Sequence, residues 1–138
     1  MMLFTEVRGL PVTGPARTGP LGTVTCLTVD VASGAVSHVR LRGGRFRGAT
    51  VLPWDAVHGI GPGGVRVGSA DAVDNAPPCQ DLLGRRILTE AGTEHGAVLD
   101  VAFDTETGRL LALFTTRGEV SPDRLLGLGD YAVVVRTG

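Results

Sequence analysis

The chain repeats itself, and the repeat constrains the fold more than any other feature. When residues 5–67 are laid over residues 80–135, Gly9 falls on Gly84 and Val12 on Ile87. After a longer loop in the first copy, Gly22, Val24, Leu27 and Val29 fall on Gly96, Val98, Val101 and Phe103. Asp30 and Gly34 then meet Asp104 and Gly108. Past a hairpin that is shorter in the second copy, Asp55 and Val57 meet Asp123 and Leu125. Gly61, Val65 and Val67 finally meet Gly129, Val133 and Val135. Spacing is kept inside each block and changes only between blocks, as in two diverged copies of one small unit whose loops alone have varied.

The unit must be built from short strands. The 138 residues include 21 Gly and 8 Pro, and a chain broken that often leaves no room for long helices. Apolar residues make up 43% but aromatics only 4%, so the interior is Val, Leu, Ile and Ala. Gly22–Val31 and Gly96–Asp104 read as strands ending at turns. In both, the apolar positions step by three and then by two (Val24, Leu27, Val29; Val98, Val101, Phe103). A regular strand steps by two, so the shared irregularity predicts a β-bulge or sharp bend of the kind small barrels need to close.

Asp30-Val-Ala-Ser-Gly34 and Asp104-Thr-Glu-Thr-Gly108 follow. The Asp side chain can accept a backbone N–H at the start of a turn, and the Gly four residues on can take a left-handed conformation. A calcium loop is excluded, because the terminal bidentate Glu is missing and Ala32 stands where an acid is needed. Return strands are expected at Val36–Leu41 and Leu110–Thr115, short strands at Thr50–Pro53 and Glu119–Ser121, and last strands at Val65–Val67 and Tyr131–Val135. The proline-broken polar stretch Gly68–Gln80 reads as the connection, which places the units at 1–68 and 80–138 with a linker at 69–79.

Each copy resembles the PRC-barrel domain. The resemblance rests on Leu83-Gly-Arg-Arg-Ile87, on Gly96–Asp104 and on Thr107-Gly-Arg-Leu110 in the second copy. In the first it rests on Val51-Leu-Pro-Trp-Asp-Ala-Val57, similar to the family's Pro-Trp segment. The second copy departs there, with Ser121-Pro-Asp-Arg-Leu125 and no Trp. The first departs at Gly14–Pro20, a longer and more Gly/Pro-rich loop. The resemblance implies an all-β protein of two small barrels in tandem, related by an approximate two-fold axis. It also implies a binding role, since family members serve in reaction-centre H subunits, ribosome maturation factors and free-standing, often dimeric proteins. The family has no shared catalytic residues to carry over, and fold analogy alone selects no single role.

The residues themselves suggest little chemistry. His38, His58 and His95 lack ligand spacing with one another or with Cys26 and Cys79. The two cysteines lie far apart and do not suggest a disulfide framework; Cys26 reads as a core residue of a reducing, cytoplasmic protein. The Gly59–Gly64 run lacks the strand–helix frame of a dinucleotide site. No catalytic residue, cofactor or metal is therefore expected. Nor is a membrane span, since Glu6 and Arg8 interrupt the apolar start.

One cluster stands out: Arg40, Arg42, Arg45 and Arg47 around a hairpin tip, with Val39 and Leu41 on the opposite strand face. Guanidiniums so grouped could grip phosphate or carboxylate. The blander reading, charge that keeps a strand end soluble and unpaired, is the stronger of the two. Residues 1–75 hold seven Arg and five acids, and residues 76–138 hold six Arg and nine acids. Basic tips could therefore meet acidic loops within a homodimer. Trp54 is expected to plug a barrel end, with Asp30, Gly34, Asp104 and Gly108 as structural turn residues. The leading expectation is a non-catalytic cytoplasmic adaptor or assembly module for an unidentified protein partner. The alternative is an RNA- or ribosome-associated module gripping phosphate through the four Arg. The net charge of −1 and the scarcity of aromatics for base stacking weigh against nucleic acid.

Overall fold

The computed structural model describes residues 1–15, 20–43, 49–69, 81–129 and 131–137. The first half contains β1 (Met2–Leu3), a single helical turn α1 (Phe4–Val7), β2 (Pro11–Thr13), β3 (Pro20–Asp30), β4 (Ala35–Arg42) and β5 (Ala49–Pro53). A 3-10 turn (Trp54–Ala56) leads into β6 (Val57–Gly61) and β7 (Gly64–Val67). The second half runs β8 (Arg86–Thr89), β9 (Glu94–Phe103), β10 (Leu110–Thr115) and β11 (Gly118–Val120). A 3-10 turn (Pro122–Arg124), β12 (Leu125–Leu128) and β13 (Ala132–Val135) complete it. The protein is all-β.

The strands form two sheets. One is ordered β5-β4-β3-β2-β7-β6 and the other β11-β10-β9-β8-β13-β12. In each, one parallel pair closes the path between positions that align in the sequence: Val12 faces Val65, and Ile87 faces Val133. The expected bulge is present in both halves. Pairing slips between Val24 and Cys26 on β3, and opposite the Phe114/Thr115 step between Asp100 and Val98 on β9. The extra residue, Thr25 or Leu99, lets Val24 and Leu27, or Val98 and Val101, all point inward, where each is at most 2% exposed.

Strands β6 and β12 were not anticipated from the sequence. Their Gly-rich ends hide the alternation of a half-buried strand. The chain start crosses to the other half: β1 joins the second half's sheet, Met2 opposite Phe103 and Leu3 opposite Ala102, while Thr5 bonds the Asp100 carboxylate. Buried side chains of both halves consequently form one apolar cluster, from Phe4 and Leu27 to Ile87 and Phe103.

The cysteine reading is corrected: Cys26 is disulfide-bonded and 2% exposed. Separation along the chain says nothing about a disulfide, which depends on how closely the fold returns the chain upon itself. Cys79, the other cysteine, and residues 70–79 of the expected linker lie outside the described residues.

Among the described residues, one ion pair joins the two halves. Arg8 Nη2 donates to the carboxylate of Asp81 at 3.0 Å, and the same carboxylate accepts the Leu83 N–H at 2.8 Å. Asp81 is 5% exposed, but the Arg8 side chain keeps 45% of its exposure, so solvent screens part of the attraction. Asp81→Asn is expected to cost about 1–2 kcal/mol in urea unfolding. The pair Arg86–Glu94, at 3.7 Å with both side chains 61% exposed, should leave stability unchanged when Arg86 becomes Ala. Equal effects of the two substitutions would refute this ranking.

The C-terminal segment is held by a carboxylate. The Thr137 hydroxyl donates to Glu90 Oε1 at 2.6 Å, and its N–H donates to Oε2 at 3.0 Å. The hydroxyl bond is the chief reason that the Glu90 carboxyl lies below the usual carboxylate range. A carboxyl lowered by folding stabilises above its unfolded pKa and loses that contribution as pH falls through the folded value. The Thr137 amide should thus be released on acidification below the ordinary carboxylate range. Amide exchange followed by NMR should show this while the core amides remain protected.

Candidate functional site at the seam between the two sheets

The two Asp-to-Gly turns meet at the boundary of the halves. Asp30 Oδ1 accepts the Ala32 N–H at 3.2 Å, and Asp104 Oδ1 accepts the Glu106 N–H at 2.8 Å. Gly34 has φ +68° and Gly108 φ +79°, a region costly to any residue with a Cβ. Past these glycines the halves are stitched by an antiparallel bridge between Ala35 and Arg109. The Val36 N–H donates to the Gly108 carbonyl at 2.8 Å, and the Leu110 N–H donates to the Gly34 carbonyl at 2.9 Å. The two bonds exchange aligned positions, since Gly34 aligns with Gly108 and Val36 with Leu110.

Trp54 sits at this seam rather than at the end of its own sheet. Its ring meets Phe103 edge-on, centroids 6.3 Å apart, and lies against Gly108. A Cβ built on Gly108 would come within 2.9 Å of Trp54 Cε2, whereas one built on Gly34 would meet nothing within 4 Å. In the second half Pro122 takes the place of Trp54. There a cavity of ≈ 210 Å³ is lined by Gly34, Arg109, Leu110, Pro122, Asp123 and Leu125 among others. Larger spaces lie elsewhere, along the Gly59–Gly64 hairpin and Arg66 and beside Met1, Met2 and Glu6.

The arginine cluster is only partly described. Arg40 and Arg42 share a face of β4, opposite the inward Val39 and Leu41, as the alternation requires. Arg42 is exposed; Arg40 is half-buried, paired across the sheet with Cys26 and Val51. Arg45 and Arg47 lie outside the described residues. No group of three or more His, Cys, Asp or Glu side chains placed to hold a metal occurs among the described residues. No helix there is long and apolar enough to cross a membrane.

The sequence reading missed the exposed apolar side chains. Leu99 (59% exposed), Leu111 (46%), Leu126 (50%) and Tyr131 (89%) belong to the second half, and Met1 (80%) to the first. Leu99 aligns with Thr25 and Leu111 with Ser37, a contrast that could have been read from the alignment. Exposure at Leu99 and Leu111 follows from register: each sits at a step where the β9–β10 pairing slips.

The second half is thus a strand-built unit with a glycine-cornered turn and a bulged central strand. Residues 78–137 match the PRC-barrel domain, so a domain of this family makes up the second half. No curated protein matches the chain.

Proposed function

We propose that the chain is a non-catalytic protein-binding module, an adaptor or assembly factor. In this reading it is made of two diverged PRC-type units, residues 1–68 and 80–138, joined by 69–79 and packed about an approximate two-fold axis. The observation that carries the binding role is the set of exposed apolar side chains on the PRC-barrel half, Leu99, Leu111, Leu126 and Tyr131. A partner that covered these side chains would remove their apolar area from water. Support for the two-unit reading comes from the matching strand orders and from the reciprocal bonds between Gly34, Val36, Gly108 and Leu110.

The test is a tagged pull-down from the native cell, with and without nuclease, comparing the natural chain with Leu99→Glu/Leu111→Glu. A discrete protein partner that survives nuclease and is lost with the double variant is the expected result. Ribosomal proteins or RNA that vanish on nuclease treatment would overturn it in favour of the alternative, an RNA- or ribosome-associated module gripping phosphate through Arg40, Arg42, Arg45 and Arg47. Binding of that kind would weaken steeply with salt.

The cytoplasmic assignment is part of the same proposal, and the bonded Cys26 weighs against it, because cytosolic thiols are generally kept reduced. Acid quenching of cells followed by alkylation of the denatured chain decides the matter, since the buried Cys26 is then reachable. A labelled Cys26 supports the cytoplasm, and a bonded one places the protein in an oxidising compartment.

A further inference from the structure

The two sides of the seam differ by one ring. At Gly108 the backbone is covered by Trp54, and at the aligned Gly34 there is open space. Gly108 is buried and Gly34 only half-buried. The cavity beside Gly34 runs to Pro122, the residue aligned with Trp54. We propose that this cavity is a slot for one planar aromatic side chain, Trp or Tyr, presented by a partner polypeptide. The incoming ring would lie against Gly34 as Trp54 lies against Gly108.

Size, walls and charge support that occupant. A volume of ≈ 210 Å³ is below the usual range for small-molecule sites, roughly 300–1,000 Å³, and suits a single side chain. The wall is mainly polar, with Pro122 and the edges of the buried Leu110 and Leu125 giving a small apolar part, which suits a ring with a polar edge over a purely apolar one. Arg109 and Asp123, both exposed, also line the cavity. A guanidinium can stack on an aromatic face, and a carboxylate can accept an indole N–H or phenol O–H. An aromatic ring with a polar edge uses both; an aliphatic side chain uses neither. Gly34 is central because any Cβ there would project from the wall the ring must approach.

The inference rests on the protein-binding reading, yet its test needs no partner. N-acetyl-tryptophanamide is titrated into the full chain and the backbone amides are followed by NMR, with N-acetyl-alaninamide as control. Saturable shifts at Gly34 and Arg109 are expected, with half-saturation at roughly millimolar concentration and no shift at Gly108. Pro122→Trp should fill the slot from within and abolish those shifts. Ser33→Trp, at an exposed turn position beside the cavity, is the second blocking variant should the first misfold. Absence of saturation at Gly34, equal shifts from the alanine compound, or unchanged binding by a folded blocking variant would overturn the slot. Those results leave the capture through Leu99 and Leu111 to its own experiment. Saturation together with a failed capture would overturn the adaptor reading alone.

Discussion

Phe103→Ala is expected to be among the most damaging single changes, costing about 3–5 kcal/mol in urea unfolding. Phe103 is fully buried at the end of β9 and joins three parts of the chain. It faces Met2 and Leu110 across the sheet, meets Phe4 edge-on at 5.3 Å, and meets Trp54 at 6.3 Å. The sequence holds only four Phe, one Trp and one Tyr, so this cluster uses half of its aromatics. The space left by Ala is bounded by strands already fixed by pairing, which limits collapse and keeps the cavity cost high. Each edge-on ring contact adds about 0.5–1.5 kcal/mol beyond burial. A loss under about 1 kcal/mol, well below the range for such truncations, would mean that Phe103 is not the joint described. The double substitution with Trp54→Ala should cost less than the sum of the singles, because the two rings share a contact.

The second large effect concerns a pair of glycines. Gly34→Ala is expected to cost about 1–2 kcal/mol, the strain of a Cβ at positive φ. Gly108→Ala carries the same strain and adds a clash, its Cβ falling 2.9 Å from Trp54 Cε2. Overpacking of that kind costs about 1–3 kcal/mol more. Both variants are compared by urea unfolding, alone and with Trp54→Ala. The gap between them should shrink when the indole is gone, since only the clash depends on it. A gap that persists would move the cause from the ring to the backbone of the Asp104–Gly108 turn.

The legible parts of the fold were those written in local pattern. Asp and Gly four apart specify a turn by side-chain acceptance and left-handed freedom, and both turns are found. Uneven apolar steps specify the bulges on β3 and β9, because a buried face must stay buried despite an extra residue. The alternation at Val39–Arg42 places Arg40 and Arg42 away from the core. The illegible parts depend on what lies across the molecule. Nothing near Met2 announces that it pairs with Phe103, nor does any residue near Cys26 announce a disulfide.

Local pattern specified a β-rich chain, its longer strands, its Asp-to-Gly turns and its inward faces. Each of these follows from interactions between residues close together in the chain or from a period of two. The meeting of the two sheets, by contrast, sets Trp54 at the seam, leaves space beside Pro122 where an indole would stand, and pairs Arg8 with Asp81. These are contacts between segments distant in sequence, set by how two sheets meet, and no local pattern encodes them.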